Sequence, residues 1–528
     1  MNRVLILAAA ILMVAACKKP AVDPIVEPPD KFPQLTNSGF EDGLTGWNLS
    51  GNTTVAGIEK GYSGQSGLSI HGENGFSVTL MQTITDAPDG LYDLSFQTKR
   101  SFYGMDVCYV KAGDRMTAIP ESREAWNEVV IRGIRVSGGR LSVSIVCEGS
   151  SEGWLMADDF TFSEGTDFTV LKGGDLSYLN YVEDNGGHFY SNGKEVDVVK
   201  FAAENGWNIV RLRVYNDPGN ALYYPSNEQH KGYQDINDIL KIAKRVKAAG
   251  MKICLSFHYS DSWTNPGAQY IPHEWMNKDF EGLQQAIYDY TYDCLKKMEA
   301  QGTLPEYVSI GNECNCGMLF GTPTVASAGK NESTNEYFMN YKAIADFVTS
   351  GHKAVKAVSE DIKTIYHTSA AGSDFSWLYD AVIKEHGGQF DMFGYSYYPY
   401  WTGKTSSEIR VWADNLCKKY NKDLIFMENG FNWNRTAHWG GESYGTGPYD
   451  TLYPEISPLG QKNWLTELMN EIKKADGCRI VGSLFWDPIC IYVKGVPGLD
   501  NGNSIDNTTL FDFEGNALES WDAYRYNN

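Results

Sequence analysis

The chain reads as a (β/α)₈ TIM barrel preceded by an all-β sandwich, and three observations carry that reading. Beyond about residue 166, apolar strand-like runs alternate with amphipathic helical stretches, the signature of a parallel sheet. From residue 34 to 165, short runs alternate apolar with polar residues and are separated by turn clusters rather than helices. A length of 528 residues also exceeds what one ordinary core holds, so two folded units are expected.

At the start of the chain, Arg3 precedes the apolar run Val4–Ala16 and then Cys17. A short basic region, an apolar stretch too brief to span a bilayer and small residues before a cut describe a signal peptide. The tetrapeptide Val14-Ala15-Ala16-Cys17 resembles a bacterial lipobox, in which the cysteine is lipidated and becomes the new N-terminus. That resemblance implies a signal peptide over 1–16 and a membrane partner through Cys17. It also implies an outer-membrane location, facing the cell surface or the periplasm. Residues 18–33 (KKPAVDPIVEPPDKFP) are rich in proline and charge and complete an extended tether over 17–33. The nine cysteines after Cys17 lack regular spacing, so they read as buried small hydrophobes rather than a disulfide framework.

In the first folded unit, Leu91–Thr98 and Leu141–Val146 alternate as half-buried strands do, and Asp89-Gly90 and Ser137-Gly138-Gly139 mark turns. The opening Asn37-Ser38-Gly39-Phe40-Glu41-Asp42-Gly43, with Trp47, resembles the start of carbohydrate-binding jelly-roll modules. The closing Trp154–Phe162, with Asp158-Asp159, resembles their end. By that resemblance Glu41 and Asp159 are candidate ligands of a structural calcium, which takes hard oxygen donors. A packing domain without a ligand is the alternative.

The second unit, 166–528, holds eight strand-like runs: Leu171–Leu176, Trp207–Val214, Met251–Tyr259, Tyr307–Glu313, Asp361–Ala370, Met392–Tyr398, Asp423–Glu428 and Ile480–Trp486. Between the second and third, Ile236, Ile239, Leu240, Ala243 and Val246 keep helical spacing, with Gly250 where a C-cap is wanted. A doubly wound open sheet is the alternative, but no glycine-rich phosphate loop follows the first run.

Barrels of this kind carry chemistry at the C-terminal strand ends. Those ends supply Asp175, Arg211, Arg213, His258, Asp261, Asn312, Glu313, His367, Tyr397, Tyr398, Glu428 and Trp486. Glu313 and Glu428 each close an apolar run, a costly place for a carboxylate unless function demands it. Two carboxyls flanking one bond can protonate a glycosidic oxygen and attack the anomeric carbon. Arg211 suits an ionised Glu428, Tyr397 is placed to hydrogen-bond the same carboxylate, and Asn312 suits a sugar 2-hydroxyl. A formal charge of −21 speaks against nucleic acid or an acidic polymer as partner. A neutral substrate fits better.

An Asn-Glu pair ending strand four and a Glu ending strand seven resemble the retaining glycosidases of clan A. The finer resemblance is to glycoside hydrolase family 53, the endo-β-1,4-galactanases. It rests on Lys172-Gly173-Gly174-Asp175-Leu176-Ser177, Val210-Arg211-Leu212-Arg213-Val214-Tyr215-Asn216-Asp217-Pro218 and His258-Tyr259-Ser260-Asp261-Ser262-Trp263. Further on it rests on Gly311-Asn312-Glu313, Ser396-Tyr397-Tyr398-Pro399-Tyr400-Trp401 and Glu428-Asn429-Gly430. The resemblance implies Glu313 as acid/base, Glu428 as nucleophile and galactan as the partner polysaccharide. No cofactor is then needed for catalysis, and a monomer is expected. Asp175, Arg211, His258, Trp263, Asn312, Tyr397, Trp401 and Trp486 are the candidate substrate-binding residues.

Two features depart from the family pattern. Cys314-Asn315-Cys316 follows the acid/base, without the further ligands a zinc site needs. The loop after strand seven, Asn432–Asp450, is poor in the acidic residues that hold calcium in some relatives. Two alternatives stay open: another clan A endo-glycanase, acting on mannan, xylan or glucan, and a non-catalytic glycan-binding surface lipoprotein.

Overall fold

The computed structural model describes residues 32–122, 124–219, 231–321, 337–440, 453 and 455–528. The signal peptide, Cys17 and nearly all of the tether lie outside the described residues, as does the second half of the loop after strand seven. Among the described residues no helix is long and apolar enough to cross a membrane.

Two five-stranded antiparallel sheets come first. One joins, in spatial order, Asn48–Gly51, Phe76–Ile84, Leu141–Gly149, Met105–Ala112 and Arg115–Ala118; the other joins Ala56–Glu59, Gly67–His71, Trp154–Glu164, Gly90–Arg100 and Asn127–Val136. Alternation sends Val78, Leu80, Val143 and Ile145 from the first sheet and Leu68, Ile70, Leu94 and Phe96 from the second into one core. Phe96 and Phe160 stack at 4.6 Å, and Phe40 stacks on Trp47 at 5.4 Å, so the aromatic residues of the opening motif are core.

The two candidate calcium ligands have protein hydrogen-bond partners in this structure. Glu41 accepts hydrogen bonds from the Gln65 and Ser66 N–H groups at 2.9 and 3.2 Å, and Asp159 accepts one from the Ser63 hydroxyl at 3.0 Å. Among the described residues no group of three or more His, Cys, Asp and Glu side chains can hold a metal ion.

The barrel closes through eight parallel strands: β1 (Leu171–Asp175), β2 (Ile209–Val214), β3 (Lys252–Phe257), β4 (Tyr307–Ile310), β5 (Lys363–Thr368), β6 (Met392–Tyr397), β7 (Asp423–Asn429) and β8 (Ile480–Phe485). Ile209, Cys254, Ile365, Met392, Ile425, Met427 and Leu484 fill the floor of its lumen. Cys254 and Met427 meet across it, sulfur to sulfur at 3.8 Å. The two-residue period of a strand then puts Arg211 and Arg213 (β2), Ser256 (β3), His367 (β5) and Ser396 (β6) on the same inner face, one or two layers higher.

Strand β7 breaks that period where it matters. Tyr395 pairs with Phe426 but Ser396 pairs with Glu428, and the register against β8 slips by one residue over the same stretch. Strict alternation after Met427 would turn Glu428 outward. The extra residue of this bulge returns it to the lumen.

The helix between β2 and β3 runs Ile236–Ala248, with the Asp235 side chain accepting from the Asp238 N–H at its start and Gly250 at φ +78° just past its end. Helix Pro458–Lys474 lies against the second sheet of the sandwich. Asn470 Nδ2 donates to the Glu128 carbonyl at 3.0 Å, and Arg132 Nε donates to the Lys473 carbonyl at 2.8 Å.

Candidate active site

The inner face of β2 supplies the cation around which the site is built. Arg211 is fully buried; its Nη1 donates to Glu428 Oε1 at 2.7 Å and its Nη2 to Asn312 Oδ1 at 2.7 Å. One guanidinium thus orients both the strand-seven carboxylate and the residue before the strand-four carboxylate, a fork geometry lysine does not offer. Glu428 Oε2 accepts from the Tyr398 hydroxyl at 3.1 Å and from Ser396 Oγ at 3.5 Å. Ser396 is held in turn by His367 Nε2 at 3.0 Å.

Glu313 is placed by backbone rather than by a cation. It stands three residues past the end of β4 with φ 51° and ψ 48°, in the left-handed region that a non-glycine residue adopts only under constraint. Gly311, at φ +85°, makes the preceding turn; a Cβ there would sit 2.4 Å from Cys314 Sγ. Cys314 fills the space under this turn. Asn315 ties the turn to the β5 loop through paired 2.8 Å hydrogen bonds with Ser369. The Cys-x-Cys segment therefore packs and braces the acid-bearing turn.

Burial pushes the Glu313 carboxyl up to about 8, and the nearby charge of Glu428 adds to the rise; a hydrogen bond with Ser396 and the more distant Arg211 pull the other way less strongly. Among the described residues no cation lies within ion-pair distance of Glu313. Its environment favours the protonated form, beside a carboxylate paired with Arg211.

Both carboxylates line one cavity of about 470 Å³, together with Tyr398, Trp401, Trp263 and Trp486. Trp263, Asn265 and Trp486 also line a second cavity of about 440 Å³ that reaches Tyr178, Asp261, Asp487 and Asn503. The two form one cleft across the barrel mouth, divided by the Trp263–Trp486 pair, whose rings lie 5.8 Å apart. A cleft that extends past the carboxylates beyond the Trp263–Trp486 pair has room for more than one sugar ring.

The family comparison now decides the assignment. The sequence model described as glycosyl hydrolase family 53 matches residues 171–524. The chain belongs to this family. It is 30% identical over 367 residues to an arabinogalactan endo-β-1,4-galactanase of Cellvibrio japonicus, an alignment covering 68% of this chain and 91% of that one. It is likewise 30% identical to the arabinogalactan endo-β-1,4-galactanase of Thermothelomyces thermophilus, covering 65% and 96%. Among solved structures it is similar to the Ignisphaera aggregans GH53 catalytic domain, with 29% identity, a TM-score of 0.59 and coverage of 68% and 96%.

Within this family 53 barrel the other anticipated residues take distinct places. Asp175 is buried, 3.6 Å from both Arg211 and Arg213, and accepts from the Ser177 N–H at 2.8 Å. Its visible work is to brace the two arginines. Asn312 spends Oδ1 on Arg211, and its Nδ2 donates to the Thr264 carbonyl at 2.8 Å. His258 Nδ1 accepts from the Thr264 N–H at 3.2 Å, which puts the ring proton on Nε2, a buried atom without a protein partner. Burial, then the positive charge of Arg211 and Arg213, holds this histidine well below its usual value, so it stays neutral. Trp401 is 59% exposed on the cavity wall, a position packing does not explain.

Tyr397 is a correction. It faces the helix layer, its ring beside Phe426 and Trp464, and its hydroxyl donates to the Lys404 carbonyl at 2.9 Å. Tyr398, one residue on, is the tyrosine that reaches Glu428. Two further residues escaped the sequence reading. Ser396 lies between the carboxylates, and the inward parity of Met392 and Gly394 marks its position. Asp487, directly after Trp486, forms an ion pair with Arg213 Nη2 at 2.7 Å. Arg213 itself lies between the Tyr178 and Trp263 rings, 5.2 Å from each centroid.

Proposed function

We propose that this enzyme hydrolyses internal β-1,4-galactosidic bonds of galactan and type I arabinogalactan by double displacement, releasing galacto-oligosaccharides. The observation that carries the reading is the unequal pair lining one cavity: Glu313 buried with no cation within ion-pair distance among the described residues, and Glu428 held by Arg211. Membership of family 53 supports the substrate. In the first step a Glu428 oxygen bonds the anomeric carbon as the C1–O4 bond breaks, and Glu313 gives its proton to the departing oxygen. In the second, the Glu313 carboxylate takes a proton from water, whose oxygen attacks the same carbon and frees Glu428. Two inversions leave the configuration retained. Every proton and electron pair in this scheme is handled by the chain's own side chains. Trp263, Trp486 and Trp401 offer flat apolar faces to sugar rings on either side of the cut.

The test is reducing-end release from β-1,4-galactan, mannan, xylan and β-glucan by the chain from residue 18 onward, with the anomer of the fresh product read by NMR. Galactan alone should be cut, giving the β-anomer first. Release only from another polymer overturns the substrate, and an α-anomer overturns the double displacement. The lipobox adds a proposed placement in which Cys17 carries lipid and holds the enzyme at the bacterial outer membrane. Incorporation of labelled palmitate, abolished by Cys17→Ser, tests it; label retained in that variant rules it out.

A further inference from the structure

A cavity of about 590 Å³ lies away from the barrel mouth, where the sandwich meets the barrel, and shares no lining residue with either half of the cleft. Arg100, Tyr103, Glu152 and Trp154 line it from the sandwich, and Glu455 and Asn463 line it from the barrel. We propose that this junction is a second binding site for a neutral oligosaccharide, a stretch of the same galactan chain that the cleft cuts. The choice of galactan rests on the substrate proposed above; the choice of a neutral sugar rests on the site itself.

Unspent donors are the first argument. Arg100 and Asn463 are 4% and 6% exposed, and Arg100 Nη2 donates to Asn463 Oδ1 at 2.6 Å across the junction. Arg100 Nε and Asn463 Nδ2 are nonetheless buried without any hydrogen-bond partner. Native structures rarely leave such groups unpaired unless a ligand or water completes them.

The lining chemistry selects the ligand. Carboxylates stand around the cavity, Glu152 and Glu455 among them, so an anionic polymer is repelled. They do not converge, since no metal-competent cluster exists among the described residues. Hydroxyl groups of a sugar can donate to these carboxylates. Half-buried Trp154 and 52%-exposed Tyr103 supply faces for stacking. Tyr103 also donates to Glu455, linking the two units at the rim. The volume falls within the roughly 300–1,000 Å³ of small-molecule sites. Because both units build the site, it is fixed relative to the cleft. A polymer held at the junction raises its own concentration at the carboxylates.

The experiment uses the chain from residue 18 onward carrying Glu428→Ala, titrated with β-1,4-galactotetraose by calorimetry. Two sites are expected. Adding Trp154→Ala should weaken one of them by about tenfold, as loss of a single stacking contact predicts. Tyr103→Ala, at an exposed position, serves as a second variant should Trp154→Ala unfold. With Glu428 restored, either variant should lower kcat/KM on galactan while leaving galactotetraose hydrolysis unchanged. A single site in the parent, or two sites untouched by both variants, overturns the proposal. Failure of the unaltered enzyme to cut galactan is read independently and sinks the substrate. The titration is then run with the oligosaccharide of whichever polymer is cut, and the same two outcomes decide the junction site.

Discussion

Glu428 and Glu313 face one cavity, yet the protein holds them by opposite means. Glu428 sits within a strand, turned inward by a bulge, with a guanidinium at 2.7 Å and a tyrosine hydroxyl at 3.1 Å on its oxygens. Glu313 sits beyond its strand on a left-handed residue, with burial and a like charge as the dominant influences on its carboxyl. The difference teaches how one residue type yields two chemical roles. A buried carboxyl without a cation partner favours its proton, as Glu313 does.

The sharpest way to break the comparison is to remove its Arg211-paired half. Glu428→Ala should lower galactan turnover by on the order of 10⁴-fold or more, because a nucleophile and its acid act as a unit. Reducing-end assays measure this, and turnover within tenfold of the parent would remove Glu428 from the role.

Removing the acid half should cost less, about 10²–10⁴-fold, the usual contribution of a positioned proton donor. Glu313→Gln also separates the two environments by pH. The parent's activity should fall as pH rises through about 8, where Glu313 gives up its proton. The stability sign follows from the same shift. A folded-state value raised from the ordinary 4.5 to about 8 means the native state holds a proton that the unfolded chain releases. Stability conferred by that proton is therefore complete below about 4.5 and is lost as pH rises to about 8. Chemical denaturation of Glu313→Gln, which cannot titrate, should gain on the parent across that window. A parent-to-variant difference that stays flat with pH would contradict the raised value.

Arg211→Met tests what the cation does. It leaves buried Asp175 and Glu428 without their shared partner, so a loss of about 3–5 kcal/mol of stability is expected. Denaturant midpoints give the number. Retention of full stability would mean that the Arg211 contacts contribute nothing net to folding.

Much of this arrangement was legible in the sequence because it follows from period and position. Eight apolar runs separated by helical spacing implied the barrel, and Glu313 and Glu428 were legible as charges closing such runs. What escaped depended on single-residue displacements. The bulge at Met427 has no composition of its own; β7 reads Asp-Leu-Ile-Phe-Met-Glu-Asn whether or not a residue is extruded. In the sandwich, Glu41 and Asp159 have the right chemistry for a calcium site. Which way each carboxylate points depends on the turn at 62–66, where the Gln65 N–H donates to Glu41 and the Ser63 hydroxyl donates to Asp159.

The adjacent tyrosines give the finest test of that reasoning, and the smallest effect. Met392, Gly394 and Ser396 face the lumen, so Tyr397 must face the helices, and Tyr398 is freed to turn inward only because β6 ends at Tyr397. Tyr398→Phe removes a hydrogen bond to a charged carboxylate, worth about 1.5–3 kcal/mol, and should lower kcat/KM roughly 10- to 100-fold. Tyr397→Phe removes only a bond to a carbonyl. It should cost about 0.5–1.5 kcal/mol of stability and leave kcat near the parent value. If instead Tyr397→Phe slowed turnover and Tyr398→Phe did not, the inward face of β6 would be misassigned. Ser396 would then lose its place between the carboxylates, and with it the contact that tempers the Glu313 proton.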